Sequence, residues 1–268
     1  MQRMNDVILT LDEIGSGDGE RVGLAAGDMA ALRRAGLPVP DAFCVTSETY
    51  LAAAEELNLA ERERELAARE TGIEAELAEI RKLIREFEVR PNLGRALDGA
   101  AAALGSGLLT VSLSPVVASY DAAAIAGLAW AAEYLAPDAV SEAVPECWAS
   151  LWRPRAVIFR KRIGLEPGRT AAAVLVAAAD PAPLAGRIKP ADREAEAWLI
   201  NADPRVRGPR DLTGIPAEKG KPQSPLTPGQ AEALRILADG AAEALGEPRT
   251  LSWSFDGRRF SITGIPYG

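Results

Sequence analysis

The sequence predicts a mixed fold of helices and strands, on three observations. From Glu48 to about Val89, apolar residues recur at the spacing of amphipathic helices. The run Ala171 to Ala179 consists of small and branched apolar residues, which favours a short buried strand. Near the C-terminus, apolar residues alternate from Leu251 to Phe255 and Asp256-Gly257 follows, which is the pattern of a β-hairpin.

The N-terminal segment predicts a strand, a helix and a second strand. The stretch DVILTLDEI opens as a strand, and AGDMAALRRAG then places its apolar residues on one side of a helix. Gly36 and Pro38 end that helix, since glycine closes helices and proline cannot continue them. The stretch DAFCVTS is a short strand.

The long helical region breaks near Thr71-Gly72, where Thr71 and Glu74 fit the capping-box pattern S/T-x-x-E. The charged run AERERELAARE before this break is typical of a solvated helix face rather than a binding tail. Beyond the region, a strand is expected over 108–113, and helices are expected over 93–104, 122–135 and 139–152.

The C-terminal part predicts a second strand at AEAWLINAD, a loop over 203–226, a helix and the hairpin. The loop is dense in proline, glycine and charge, and a loop of this length is typically a lid or a linker. Pro228 begins the last helix and Gly246 ends it.

Composition excludes several classes of function. The net charge of −8 disfavours nucleic acid as a partner, and no basic stripe offsets it. The apolar runs are too short to span a membrane, and the N-terminus does not read as a signal peptide, so we expect a cytoplasmic protein.

The chain contains no histidine, which excludes Ser-His and Cys-His nucleophilic pairs, a phosphohistidine and imidazole metal ligands. The two cysteines, Cys44 and Cys147, are too few for a disulfide framework or a zinc site. We expect both to be buried small hydrophobic residues. No metal and no cofactor is expected.

Three blocks in order resemble the nucleotide-binding domain of the phosphoenolpyruvate synthase and pyruvate phosphate dikinase family. The first is AGDMAALRRAGLPVPDAFCVTSETY, which is similar to G-A-N-L-x-x-L-x-x-A-G-x-P-V-P-x-G-F-x-V-T-x-x-A-Y. The second, PECWASLWRPRAVIFRKRIG, is similar to C-W-A-S-L-W-x-x-R-A-x-x-Y-R-x-R-x-G. The third, LTPGQAEALRILADGAAEALGEPRTLSWSFDGRRFSITGIP, resembles the final helix and hairpin of the family.

The resemblance implies an α+β, ATP-grasp-like fold of two subdomains, here as a degenerate domain on its own. In the family, ATP lies between the subdomains and its β-phosphoryl group passes to a histidine of a separate domain. We expect a helix-rich N-terminal subdomain over 1–168 that carries degenerate phosphate-binding elements. A C-terminal subdomain over 169–268 would hold a sheet, the lid loop 203–226, the final helix and the hairpin.

The chain departs from the family where phosphate and metal would be bound. The phosphate-binding Lys of G-G-K-G falls on Ala25, and the Arg of V-R-S-S-A falls on Ser112 in VSLSP. The remaining substitutions are also neutral. Ala177 and Ala179 stand at the polar and methionine positions of the adenine-contacting Q-x-M. Thr250 and Ser252 replace the metal-binding Asp and Glu of D-I-E-W, and Gly264 replaces the Gln of L-Q-A-R-P.

The uniform loss of charge predicts that phosphotransfer is gone, because triphosphate needs cations, amides and magnesium ligands. We expect the cleft to bind an uncharged apolar small molecule, with its polar groups oriented by Ser112, Ser114, Tyr120, Thr250 and Ser252. Asp28, Tyr120, Asp121, Glu194 and Glu196 are the ionisable residues expected nearest the cleft.

Three alternatives stay open. A cofactor-free cyclisation or isomerisation is compatible with such a cleft, because orientation alone supplies several kcal/mol. A non-catalytic protein that regulates or binds a protein partner would show a collapsed cleft and an exposed apolar patch. Weak residual ATP binding or kinase-type activity would show a magnesium-dependent response.

Overall fold

The computed structural model of the chain describes residues 7–69, 72–87, 91–116, 131–179, 182–191, 194–204 and 226–266. In these ranges it has an α+β architecture of helices and antiparallel sheets. The strands are β1 (Ile8–Thr10), β2 (Ala42–Val45), β3 (Leu109–Val116), β4 (Ala131–Leu135), β5 (Ala171–Ala178), β6 (Leu184–Ala191), β7 (Glu194–Pro204), β8 (Leu251–Phe255) and β9 (Phe260–Gly264). The helices are α1 (Gly19–Arg34), α2 (Ser47–Glu56), α3 (Leu59–Ala67), α4 (Glu74–Glu86), α5 (Pro91–Ala103), α6 (Val140–Ala149), α7 (Pro154–Arg162) and α8 (Pro228–Leu245).

The chain forms two compact units. The first contains residues up to Ala30 together with Asp41–Asp180, and the second contains Ala31–Pro40 and Pro181–Pro266. Strand β5, which the sequence boundary at residue 169 places in the C-terminal subdomain, pairs within the sheet of the first unit. Within the parts of the chain that the structure describes, no helix combines the length and the hydropathy needed to cross a membrane.

The sheet of the first unit has the strand order β1-β2-β5-β3-β4, and all its neighbouring strands run antiparallel. Successive side chains of a strand point to opposite faces, so each strand contributes to both sides of the sheet. One face carries Phe43, Val111 and Val174, which are buried in one core with the helices α2 to α6. The other face carries Ser112, Ser114 and their cross-strand neighbours on β5.

A buried ion pair lies in the helical part of the first unit. The side chain of Arg160 is 2% exposed and donates from Nε to Glu63 Oε1 at 2.9 Å. Its guanidinium also donates to the backbone carbonyl of Leu151 and lies over the ring of Trp152. Removal of one partner from such a pair typically costs about 3 to 5 kcal/mol, because it leaves a buried charge uncompensated.

The second unit is a four-stranded antiparallel sheet in the order β7-β6-β8-β9, with helix α8. Leu251, Trp253 and Phe255 are buried on one face of β8, as the alternating pattern predicts. Trp253 and Phe260 pack edge to face across the hairpin at a centroid distance of 5.4 Å. The hairpin predicted from the sequence is confirmed.

Both predicted ends of the last helix are also confirmed. Helix α8 has Pro228 in its first turn, and Thr227 and Gln230 form a reciprocal capping box before it. Gly246 ends the helix with φ +77°, a left-handed conformation that glycine adopts without steric cost.

Some expectations need correction and others fall outside the described residues, among them residues 122–130 of an expected helix and residues 205–225 of the expected lid loop. The helix expected over 122–135 is wrong at its C-terminal end, because Ala131–Leu135 forms a strand that pairs with β3. Alanine-rich composition favours a helix only weakly, and pairing at a sheet edge overrides it. Strand β6 was not predicted from the sequence. The break between α2 and α3 was not predicted either; it lies at Asn58, whose φ is +58°. Thr71 of the expected capping box lies outside the described residues.

Candidate functional site

A backbone turn at Gly23 interrupts helix α1. Gly23 has φ +72° and ψ 179°, so the helix begins again after it and the amides of its new first turn have no acceptor within the helix. The turn also touches strand β3. A Cβ atom on Gly23 would lie 2.4 Å from the carbonyl oxygen of Ser114 and 2.7 Å from that of Pro115, so this position requires glycine.

Ser114 ties this turn to the sheet. Its buried hydroxyl donates to the carbonyl oxygen of Val22 at 2.6 Å and accepts from the backbone N–H of Ala26 at 3.0 Å. The Ser114 hydroxyl hydrogen is thereby engaged inside the protein. The hydroxyl therefore braces the turn against β3 from both sides of Gly23.

Six residues that the sequence analysis assigns to the former nucleotide cleft lie in the first unit, and we refer to them as the first half-site: Ala25, Asp28, Ser112, Ser114, Ala177 and Ala179. Ser112 stands opposite Leu175 in the ladder, and Ala177 lies two residues further along β5, on the same face. Ala177 and Ala179 are buried, while Ala25, Asp28 and Ser112 are half-buried. Apart from Asp28, every member of the first half-site is uncharged.

The cation nearest to the turn in sequence is bound to carboxylates. Arg21 donates from Nε to Glu48 Oε1 at 3.0 Å and from an Nη to Asp18 Oδ1 at 3.1 Å. The hydrogen bond to Glu48 is the main reason why the pKa of the Arg21 guanidinium is raised. Two carboxylates thus hold this guanidinium.

The second half-site consists of Thr250, Ser252 and Gly264, all in the second unit. Ser252 on β8 stands opposite Gly264 on β9 and opposite Arg187 on β6, so these residues share one face of the sheet. Arg187 is exposed. The buried apolar residues of β8 lie on the opposite face.

Arg187 therefore places a positive charge opposite Ser252, one of the two positions at which the family resemblance implies carboxylate metal ligands. Hydroxyl groups are weak ligands for magnesium compared with carboxylates, and a neighbouring guanidinium repels the metal. Among the residues that the structure describes, no group of three or more His, Cys, Asp or Glu side chains is arranged to hold a metal ion.

The other residues considered from the sequence belong to neither half-site. Tyr120 and Asp121 lie outside the described residues, and Glu194 and Glu196 belong to the backbone of β7. Cys44 and Cys147 are free and buried, as expected. Burial raises the pKa of both thiols, which keeps them protonated and unreactive at neutral pH.

Two features were not found from the sequence. Arg187 was missed because it lies on β6, a strand whose Gly, Arg, Lys and Pro residues hide its alternation. The engagement of Ser114 with Val22 and Ala26 joins positions 92 and 88 residues apart in the chain. A motif with a glycine before small residues indicates such a turn, but it does not indicate which strand braces it.

Sequence comparison identifies the class of protein that the chain resembles, which is the phosphoenolpyruvate synthase type. Residues 19–203 match the family described as the pyruvate phosphate dikinase AMP/ATP-binding domain. This match covers more than half of the chain, and the chain therefore belongs to that family.

Three curated proteins are similar to the chain. A probable phosphoenolpyruvate synthase of Methanocaldococcus jannaschii is 29% identical over 63% of this chain and 15% of its own length. A rifampicin phosphotransferase of Streptomyces sviceus is 31% identical over 65% of this chain and 21% of its own length. A phosphoenolpyruvate synthase of Aeropyrum pernix is 32% identical over 63% and 22%, respectively. The matched part thus spans less than a quarter of each relative.

The Gly23 turn gives a direct test of the site's architecture. We expect Gly23→Ala to lower the free energy of unfolding by at least about 2 kcal/mol. Alanine would have to adopt the left-handed conformation of Gly23, and its Cβ would clash with the backbone carbonyl of Ser114. Chemical denaturation of both proteins, followed by circular dichroism, measures the difference.

Gly27→Ala is the matched control within the same helix. Its Cβ would lie 4.0 Å from Val22 Cγ2, and its φ is not in the left-handed region. The control should be neutral or stabilising by up to about 1 kcal/mol. Equal effects of the two substitutions would contradict the assigned close approach.

Proposed function

We propose that this chain is a phosphoenolpyruvate synthase-like domain that has lost ATP-dependent phosphotransfer and binds an uncharged, apolar small molecule at the former nucleotide positions. One observation carries the proposal. The turn at Gly23, braced by Ser114, stands where the family resemblance implies a phosphate-binding turn, while Ala25 and Ser112 supply no cation there.

The neutral residues weaken the binding of a triphosphate. Each charge-assisted hydrogen bond contributes about 1.5 to 3 kcal/mol. Neutral residues at the family's Lys and Arg positions, Ala25 and Ser112, together forfeit about 3 to 6 kcal/mol, or two to four orders of magnitude in affinity. Helix amides alone attract phosphate, but the Ala26 amide is already bonded to Ser114.

The second half-site supports the same conclusion for the metal. Thr250 and Ser252 replace the family's Asp and Glu, so no carboxylate stands at these positions to bind magnesium. Arg187, opposite Ser252 in the ladder, adds a positive charge on the same face. Without magnesium, the β-phosphoryl transfer implied by the family has no counter-ion for the charge that develops.

Neutral side chains favour an uncharged ligand. Ala177 and Ala179 stand at the family's adenine-contacting positions and present only methyl groups, and Leu175 and Ser112 share a face with Ala177. Small-molecule sites are typically apolar with a few placed polar groups. Each unit carries hydroxyls of that kind, Ser112 in the first and Thr250 and Ser252 in the second. A cofactor-free cyclisation or isomerisation is the reaction type that fits, because it needs orientation but no metal.

Residual nucleotide binding is the rival function, and the intact turn at Gly23 favours it. It differs from the main proposal in one observable, a magnesium-dependent response to ATP. Protein-stabilisation experiments separate the two, because any ligand that binds only the folded state raises the unfolding temperature.

Restoring the lost charges should restore nucleotide binding. The variant Ala25→Lys, Ser112→Arg, Thr250→Asp, Ser252→Glu supplies the family's groups at their aligned positions. We expect its unfolding temperature to rise with Mg-ATP, while that of the unaltered chain stays unchanged. Differential scanning fluorimetry at a series of Mg-ATP concentrations measures both.

The matched control is Ala25→Met, Ser112→Met, Thr250→Asn, Ser252→Gln, which adds comparable volume without charge. It should not respond to Mg-ATP. A magnesium-dependent rise in the unaltered chain would overturn the loss of phosphotransfer and favour residual nucleotide binding.

The ligand class has its own test with Nile red, an uncharged apolar dye whose fluorescence increases in apolar surroundings. We expect saturable binding to the unaltered chain and at least about tenfold weaker binding to Ser112→Asp, because a carboxylate disfavours an apolar ligand. Ser112→Asn is the uncharged control and should bind like the unaltered chain. Equal binding to all three proteins would place the dye elsewhere and contradict this part of the proposal.

A further inference from the structure

Helix α7 presents a basic surface to solvent. Its sequence, PRAVIFRKR, contains four basic residues and no acidic residue, and of these Arg160 is buried. Arg155 and Arg162 are exposed, and neither side chain forms a hydrogen bond or an ion pair with any residue that the structure describes. Ile158 lies between them on the same side of the helix and is 45% exposed. We call Arg155, Ile158 and Arg162 the basic face.

Helix α2 presents a surface of the opposite charge. Its sequence, SETYLAAAEE, contains three glutamates and no basic residue. Glu48 is bound by Arg21, whereas Glu55 and Glu56 are exposed, and their carboxylates have no partner within the part of the chain that the structure describes. Leu51 is 43% exposed and lies one helical turn before Glu55. We call Leu51, Glu55 and Glu56 the acidic face.

The two faces lie on neighbouring helices of the first unit. Tyr50, next to Leu51 on α2, accepts a hydrogen bond from Trp152 Nε1 at 3.3 Å, and Trp152 precedes α7 by two residues. No ion pair joins the acidic face to the basic face within one copy of the chain, although every residue of both faces is described. Their opposite charges are therefore available to a second molecule.

Exposed apolar side chains also coincide with these charges. Among the described residues of the first unit, the large hydrophobic side chains that are exposed are Leu51, Tyr134 and Ile158. Leu51 belongs to the acidic face and Ile158 to the basic face. Protein interfaces commonly combine such an apolar centre with a polar rim whose charges match those of the partner.

We propose that the acidic face of one copy of this chain docks on the basic face of a second copy. In this arrangement Leu51 packs against Ile158, and the glutamates of α2 pair with the arginines of α7. Because neighbouring helices carry the two faces, a dimer with two-fold symmetry makes the same contact twice. The inference does not depend on the function proposed above, since no residue of either face belongs to a half-site.

The affinity is expected to be modest. Two short helix faces form an interface at the small end of the known range, and each copy carries a net charge of −8, which opposes association. At about 0.15 M salt, charges more than about 8 Å apart are largely screened, whereas charges in contact still attract. We therefore expect a dissociation constant of about 10 to 100 µM under these conditions.

Sedimentation velocity over a series of protein concentrations measures this association, and charge reversal locates it. One variant, Arg155→Glu with Arg162→Glu, reverses the basic face. A second variant, Glu55→Arg with Glu56→Arg, reverses the acidic face. Each variant alone should associate at least about tenfold more weakly than the unaltered chain, because like charges then meet at the contact.

An equimolar mixture of the two variants should associate again. The reversed basic face of one variant is now acidic, and it meets the reversed acidic face of the other, so both contacts of the dimer regain opposite charges. Recovery in the mixture also shows that both variants are folded, and circular dichroism of each variant checks this independently.

A control variant separates the local contact from net charge. Arg258→Glu with Arg259→Glu changes the net charge as much as reversal of the basic face does, but at the exposed hairpin turn of the second unit. It should associate like the unaltered chain. An uncharged variant, Ile158→Ser, should weaken association, because it removes the apolar centre of the basic face.

Three results would each overturn the proposal. The unaltered chain stays monomeric at all concentrations, either reversed variant associates as tightly as the unaltered chain, or the mixture of the two does not associate. Neither ATP nor any residue of the half-sites enters these measurements, so their failure would leave the loss of phosphotransfer untouched.

Discussion

The close approach of Gly23 to strand β3 determines how the first half-site is built. Because the glycine lacks a Cβ, its backbone reaches the carbonyl groups of Ser114 and Pro115, and the Ser114 hydroxyl then bonds on both sides of the turn. Helix α1 begins again after this point, and Ser112, two residues before Ser114, points to the same face of the sheet. The Gly23 turn is therefore held against β3 by backbone sterics and the hydroxyl of one serine.

This separation of geometry from charge indicates how the fold of a family can persist when the charged groups at its ligand-binding positions are replaced. The Lys and Arg of the family bind ligand, whereas Gly23 and Ser114 hold the protein together. Neutral residues at Ala25 and Ser112 are expected to have little effect on stability, because surface substitutions away from packed contacts usually change stability by less than about 0.5 kcal/mol.

Local sequence signals were sufficient to predict the ends of α8 and the hairpin. Most of the features that were missed depend on contacts between residues that lie far apart in the chain. Pro228 and Gly246 mark the ends of α8, and alternation from Leu251 to Phe255 identifies the hairpin. Strand β4 was mistaken for part of a helix because its pairing with β3, not its composition, makes it a strand. The neutral residues of the half-sites were found only through the resemblance to the family. The brace by Ser114 and the position of Arg187 opposite Ser252 depend on pairings that no local pattern encodes.

The central claim is that a phosphate-type turn without counter-charge does not bind nucleotide. Isothermal titration calorimetry of the unaltered chain with Mg-ATP, and with ATP plus a metal chelator, tests it most directly. We predict no saturable heat in either titration at ligand concentrations up to about 1 mM. A dissociation constant of about 1 mM corresponds to a binding free energy of about −4 kcal/mol, so any binding would be weaker than that. Saturable binding in the micromolar range that requires magnesium would contradict the account, because it would show that other groups replace the missing Lys, Arg, Asp and Glu.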